Sequence, residues 1–443
     1  MSFNLAELST FLLNNKRVAE AEEASAQAIT LLEGFPPSVE LARACMWRCY
    51  IKMMLRDFEE TVVWGEKAVA LAERFEEPEI IARTCNYMGC VVLTMDYKRG
   101  MKLFERSLSV AREANLAHAI ASALGNLGGM LLEDREIKLA NQYLAESIAY
   151  AAEHDNDYHL LEGKAWQALA YAYQGRWAEA TEIAQAVLQR SDTKVTRAGA
   201  LFALGRIAIR SGDLDVHQFI NEAFLHTIDV DSPRFDSPRL LQAEAFWLAG
   251  DYAPLLEESR AAYDVAVKKQ RPWVAGELAF WRWKAGEIDP PPSWIAKPFA
   301  LQIAGDWRGA AKEWEERGCP YEQGMALMDG DEAAQLVALE IFERLGARPI
   351  IEKLKQKMRA QGIRLPRGPR PATRENPFGL TAREMEVVGC LIKGQSNNVI
   401  AKGLSLSTRT VEHHIASILQ KMGVGSRSEA VALVLKENLL SFE

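Results

Sequence analysis

The sequence predicts an all-α protein: a helical-repeat solenoid followed by a compact four-helix domain. Three observations carry that expectation. A polar residue followed by a large apolar one recurs at near-constant spacing: Asp57-Phe58, Asp96-Tyr97, Glu136-Ile137, Arg176-Trp177, Asp213-Leu214, Asp251-Tyr252 and Glu287-Ile288, with second members 39, 40, 40, 37, 38 and 36 residues apart. Ala-rich amphipathic runs lie on both sides of these dipeptides, and no alternating strand pattern separates them. Finally, helix-start and helix-stop signals cut the last stretch of the chain into four short segments.

Each dipeptide is read as the start of the second helix of a pair. The run from Trp177 to Leu188 is one such helix, and the run from Ala165 to Tyr173 belongs to the helix before it. Gly175, Gly212, Gly250 and Gly286 stand where a left-handed residue would close the first helix. Two helices per period of 36 to 40 residues make an α-solenoid, covering residues 1–318. Its texture at Leu127-Gly128, Ala168-Leu169-Ala170 and Leu204-Gly205 resembles tetratricopeptide repeats, at a longer period than that family's usual one.

Six of the eleven tryptophans crowd between Trp273 and Trp314, where Asp289-Pro-Pro-Pro292 interrupts the period. Two readings stand at this stage. The aromatics form a concave surface for a small molecule or peptide, or they form the core of a terminal capping module. Residues 319–362 read as a helical extension, with one helix from Asp331 to Gly346 and another from Pro349 to Gly362. Residues 363–377 are a Pro-rich linker that carries Arg364, Arg367, Arg370 and Arg374, a basic arm suited to phosphates.

Residues 378–443 form the last domain. Thr381 with Glu384 makes a capping box and Gly394 ends the helix it opens. Val399, Ile400 and Leu404 give a second helix its apolar side. Ser407 caps a third, and Ser426 with Glu429 opens a fourth that carries Ala430, Leu433 and Val434. The third helix has two stripes. Val411, Ile415, Ile418 and Met422 share one face, while Arg409, Glu412, His413, Ala416 and Gln420 share the other. A helix docked by one face and offering a polar face outward is what the second helix of a helix-turn-helix does in the major groove.

These residues resemble the LuxR-type DNA-binding domain. The likeness rests on Leu-Thr-x-Arg-Glu at Leu380 to Glu384, Gly394, Ser396-Asn397, Ile400-Ala401, Thr410-Val411, His414, Lys421 and Arg427-x-Glu429-Ala430. It implies that Glu412, His413 and Ala416 read base edges. It also implies that Arg409, Thr410, His414, Lys421 and Asn397 hold phosphates. Glu412 departs from relatives with Lys there. It can accept from a cytosine amino group but repels a phosphate. The runs from Phe280 to Gly286, Ala304 to Trp307, Gly318 to Glu322 and Phe342 to Ala347 resemble the C-terminal part of the large MalT-like regulators. Their nucleotide-binding domain has no counterpart. The Gly163-Lys164 pair is followed by Ala165 and preceded by Tyr158 where a phosphate-binding loop needs its first Gly.

Charge divides along the chain. From Lys353 onward, fifteen Lys and Arg face seven Glu, while the whole chain carries −8. A basic tail on an acidic body fits a nucleic-acid end and a ligand- or protein-facing end. No apolar run spans a membrane and the first residues lack a signal-peptide pattern, so a cytoplasmic, nucleoid-associated protein is expected. Cys45 and Cys49, like Cys85 and Cys90, read as small buried hydrophobes; no metal site, cofactor or catalytic constellation is expected, and acidic residues read as solvated helix faces. The expected function is transcriptional regulation, not catalysis. The expected partners are duplex DNA, a second copy of the chain, RNA polymerase, and a small-molecule or protein ligand on the repeats. A DNA-tethered interaction scaffold and the DNA-binding half of a split ATPase–regulator pair are the alternatives.

Overall fold

The computed structural model describes residues 2–15, 17–212, 216–226, 238–363 and 378–436. Every regular element among them is a helix. The chain divides into two compact units, Met1–Ile363 and Arg364–Glu443.

The first unit opens with seven helix pairs: α1 (Ser2–Asn14) with α2 (Val18–Glu33), α3 (Val39–Met54) with α4 (Phe58–Arg74), α5 (Pro78–Val92) with α6 (Tyr97–Glu113), α7 (Ala117–Glu133) with α8 (Ile137–Glu153), α9 (Asp157–Tyr173) with α10 (Trp177–Arg190), α11 (Lys194–Ser211) with α12 (Val216–His226), and α13 (Pro238–Ala249) with α14 (Tyr252–Lys268). Then come α15 (Pro272–Lys284), α16 (Lys297–Ile303), α17 (Trp307–Arg317), α18 (Pro320–Leu327), α19 (Glu332–Leu345) and α20 (Arg348–Ala360). From α3 to α11, each odd-numbered helix packs on the next odd one, while the even ones pack chiefly on their sequence neighbours. The odd helices therefore lie on the tighter inner radius, which is the geometry of an α-solenoid.

The repeating dipeptides start α4, α6, α8, α10 and α14 as the spacing predicts; Asp213-Leu214 lies outside the described residues. Glu287-Ile288 is a correction, since no helix starts there. The Pro290–Pro292 run lacks the N–H donors a helix needs and the next helix waits until Lys297. Ile288 is 92% exposed, and the Glu287 carboxylate pairs with Arg282 and Arg260.

Gly175, Gly212, Gly250 and Gly286 have φ between 76° and 99°. In the earlier repeats Arg56 and Arg135 take the same place, at φ 53° and 56°. A side chain in that conformation costs about 1–2 kcal/mol. Both arginines are held from outside their own turns, Arg56 by Glu133 and Arg135 by Glu277 and the Tyr173 ring.

One contact sets how tightly a pair can close. A Cβ on Gly100 would stand 2.4 Å from the Leu93 Cα and 2.6 Å from its N. Backbone cannot yield as a flexible side chain can. Gly100→Ala is expected to lower unfolding stability by about 1–3 kcal/mol, as overpacking does. Urea denaturation reads this directly, and an unchanged midpoint would show that α6 can shift freely.

The tryptophan cluster is built around two interior rings, with Trp273, Trp283 and Trp307 half-buried and Trp294 exposed. Trp281 and Trp314 are buried, with Trp273 and Phe299 packed on Trp314 at 5.9 and 5.1 Å and Trp247 on Trp281 at 5.5 Å. The buried rings suit the core of a capping module. Helices α18–α20 close on the repeats: α20 packs against α11 and α13, and Arg348 Nε donates to the Ser211 carbonyl at 2.7 Å. Cys45, Cys49, Cys85, Cys90 and Cys319 are buried, and burial pushes the Cys45 and Cys85 thiols up to about 11.

Buried acidic residues correct the reading of acidic residues as solvated, most fully in one group. Glu322, Arg210, Glu244, Arg206, Glu277 and Arg135 form an alternating chain of buried charges. It ties α18, α11, α13, α15 and the α7–α8 turn together. Its three carboxylates match its three guanidinium groups, so no net charge is left inside.

Candidate nucleic-acid interface

The second unit is built from four helices: α21 (Ala382–Ile392), α22 (Asn397–Gly403), α23 (Thr408–Met422) and α24 (Arg427–Lys436). Thr381 and Glu384 form both halves of a capping box at the start of α21. Gly394, at φ 69°, follows its end. Ser407 accepts from the Thr410 N–H at 3.1 Å to cap α23, and Gly423, at φ 66°, closes it. At α24 the Glu429 N–H donates to Ser426 Oγ at 3.3 Å, while the Glu429 carboxylate accepts from the Gly425 N–H at 2.9 Å.

Leu380, Val387, Val388, Leu391, Ile400, Val411, Ile418, Met422, Ala430 and Val434 bury one shared core. Ile415 and Leu404 pack against it half-buried. Val399 is a correction: it is 50% exposed, because only one side of the short α22 meets the core.

The turn between α22 and α23 is four residues, Leu404 to Ser407, with Ser405 at φ 53°. Thr408 Oγ1 donates to Asn398 Oδ1 at 3.1 Å across it, and Arg383 donates to the Leu404 carbonyl. These bonds fix the angle at which α23 leaves α22. With its Val411–Ile418–Met422 face buried, α23 presents Arg409, Glu412, His413 and Ala416 as an exposed stripe. The stripe is what the alternation of apolar and polar residues implies, and it begins in the first turn of the helix.

The other expected contact residues are placed differently. Thr410 and His414 are half-buried flanks of the stripe. Thr410 Oγ1 lies 2.7 Å from Ser407 Oγ and belongs to the cap. Asn397 Oδ1 accepts from Arg427 Nη1 at 3.3 Å, and Arg427 also donates to the Gln395 carbonyl. The Lys421 ammonium donates to both Glu384 oxygens, at 2.7 and 2.9 Å. Ser417 Oγ donates to the same carboxylate at 2.7 Å. Glu384, read from the sequence only as a helix cap, therefore also anchors α23. Its second role joins positions 33 and 37 residues apart, which no local pattern displays. Residues 378–436 carry seven Lys and Arg against four Glu, a net charge of +3.

A short turn, a docked helix and an outward polar stripe define a helix-turn-helix. Residues 379–434 match the profile of the family described as "Bacterial regulatory proteins, luxR family". A LuxR-type helix-turn-helix domain thus occupies this segment, and helical repeats precede it.

Among curated proteins, the chain is similar to the oxygen regulatory protein NreC of Staphylococcus aureus. In strains RF122 and MRSA252 the identity is 40% over 72 residues, which is 16% of this chain and 33% of that protein. The chain thus spans about a third of the length of the curated relatives it matches. Among solved structures, the apo form of RapI is 18% identical and covers 61% of this chain and 97% of its own, at a TM-score of 0.43. The apo form of the quorum sensor NprR from B. thuringiensis is 14% identical and covers 81% of this chain and 97% of its own, at a TM-score of 0.37.

Proposed function

We propose that this chain is a sequence-specific, DNA-binding transcriptional regulator whose helical repeats receive a ligand or a protein partner. The observation that carries the reading is the exposed stripe of α23, held by a buried face on a unit of net positive charge. Arg409 and the backbone N–H groups of Thr408 and Arg409 at the start of α23 suit a phosphate, while Glu412, His413 and Ala416 suit base edges. Thr410, His414, Asn397 and Lys421 flank this surface. The protein acts in the cytoplasm, at the nucleoid, as a dimer that meets RNA polymerase at the promoter, and it catalyses no reaction of its own. No described helix is long and apolar enough to cross a membrane.

Selection from a random duplex library, followed by affinity measurement, tests the reading. His413→Ala and Glu412→Ala are each expected to lose about 1–3 kcal/mol at the selected site and far less on unrelated duplexes. An unchanged selected sequence in both variants removes these residues from base readout. Failure of the full-length protein to enrich any sequence removes the function itself.

A further inference from the structure

Residues 378–436 carry four carboxylates, and three of them are engaged within the protein. Glu384 accepts from Lys421, Ser417 and the Thr381 N–H. Glu386 pairs with Arg383, and Glu429 accepts from Ser426 Oγ and the Gly425 N–H. Glu412 is the exception. It is exposed on α23 and takes no hydrogen bond or ion pair among the described residues. Arg409, three positions earlier on the same stripe and close enough along a helix to pair, is left free as well. We infer that Glu412 accepts the groove-facing N–H of a cytosine amino group, and that methylation of this cytosine on N4 blocks binding. The inference rests on the reading of α23 as the helix that enters the major groove; it names a base there and the modification that hides it.

The cost of the charge argues first. A carboxylate on a DNA-facing surface is repelled by the phosphates of both strands, and Glu412 works against the net charge of +3 that favours approach. That cost is offset where the carboxylate meets a donor. On the major-groove edge guanine shows the acceptors N7 and O6, and thymine shows the acceptor O4 and a methyl group; neither donates. The donors are cytosine N4 and adenine N6. Adenine places its N7 acceptor beside N6, where its lone pair faces the incoming carboxylate. Cytosine has a C–H at the neighbouring position and no such repulsion.

Reach argues second. Val411, just before Glu412, is fully buried in the core, so the backbone at Glu412 is held. The Ser407 cap and the Thr408–Asn398 bond, both at 3.1 Å, fix the start of the helix. Ala416, one turn further along the exposed stripe, ends in a methyl group. With nothing longer there, the helix can approach the groove floor closely enough for the two methylenes of Glu412 to deliver its carboxylate to a base edge.

The amino group argues third. Of its two N–H bonds, one pairs with guanine O6 and the other points into the groove. Base pairing keeps the first, so a methyl on N4 takes the place of the second. The donor is lost, and an apolar group strips water from the carboxylate without replacing its hydrogen bond.

The experiment uses the full chain. Duplexes are selected from a random library on the wild type and on Glu412→Ala. One position of the enriched site is expected to be a fixed cytosine for the wild type and to accept all four bases for the variant. With Glu412→Gln the same position is expected to turn to adenine, which an amide meets through N6 and N7. The wild-type site is then synthesised with N4-methylcytosine at that position alone. Wild-type binding is expected to weaken about tenfold, the worth of one base contact, while Glu412→Ala binds both duplexes equally. Glu412 is exposed and unbonded, so both variants are expected to keep the wild-type melting temperature, which is checked alongside. The inference is overturned if Glu412→Ala leaves every selected cytosine fixed, if the base it releases is not cytosine, or if N4-methylation weakens wild type and variant alike. Failure of the wild type to enrich any sequence overturns the regulator reading and this inference with it, whereas an enriched site indifferent to Glu412 overturns this inference alone.

Discussion

Glu244→Ala is expected to lower the unfolding free energy of the repeat unit by about 3–5 kcal/mol, the usual result of removing one partner from a buried ion pair. Glu244 is fully buried between two arginines. Its Oε1 takes a bond from Arg210 Nε at 2.9 Å, and its Oε2 faces Arg210 Nη2 at 3.4 Å and Arg206 Nη1 at 3.5 Å. Truncation leaves three buried guanidinium groups against two carboxylates, together with a cavity. Arg210 keeps Glu322 at 2.7 Å and Arg206 keeps Glu277 at 2.9 Å, so neither arginine is orphaned and the lower part of the range is the better guide. Glu244→Gln retains the volume and part of the hydrogen bonding, so its loss should be smaller. Urea midpoints of the two variants give the comparison. A loss under about 1 kcal/mol in the alanine variant would mean that water enters and solvates the arginines.

That charge chain marks where sequence reading stopped. The solenoid was legible because each repeat is a local event: a polar cap and an apolar first residue, with a left-handed glycine just before them at α10 and α14. Those signals placed α4, α6, α8, α10 and α14 to the residue. Burial of Glu244 was not legible, because α13 carries an ordinary helical mixture and the partners of Glu244 come from α11, 34 and 38 residues earlier. Glu287-Ile288 misled because it has the local form of a helix start, while the deciding fact is the proline run after it. The contact between His118 and His159 likewise joins positions 41 residues apart, which reach each other only when α7 and α9 pack side by side. In the DNA-binding unit the helix stripe was legible from its own periodicity. The hold on Lys421 was not, since it runs through a residue whose nearer duty, capping α21, already explained its presence.

Glu384→Gln is expected to destabilise the DNA-binding unit and, at the same time, to steepen the salt dependence of DNA binding. The carboxylate accepts the Thr381 N–H at 2.7 Å, Ser417 Oγ at 2.7 Å and Lys421 Nζ at 2.7 and 2.9 Å, and so fastens the start of α21 to the middle of α23. Burial alone would raise its pKa, but the bonds from Lys421, Ser417 and Thr381 outweigh that and bring it from 4.5 to about 2. The folded value lies below the unfolded one. The stabilisation is therefore fully present above pH 4.5 and fades as pH falls toward 2. At about 1.4 kcal/mol per pKa unit it amounts to about 3 kcal/mol at most. Glutamine keeps one acceptor oxygen, so a loss of about 1–3 kcal/mol at pH 7 is expected, along with a flatter acid limb below pH 4.5. For DNA the sign is opposite. While Glu384 holds it, the Lys421 ammonium is partly neutralised and releases less than one counterion from a phosphate. Lys421→Ala should then reduce the slope of log K against log salt by clearly less than the value of about 0.9 for a full contact. Glu384→Gln frees that ammonium, and its slope should steepen toward the full value on every duplex alike. Binding isotherms at several salt concentrations for the three proteins decide the matter. If Lys421→Ala removes a full unit and Glu384→Gln changes nothing, the ion pair opens whenever DNA arrives, and Lys421 contacts phosphate with its whole charge.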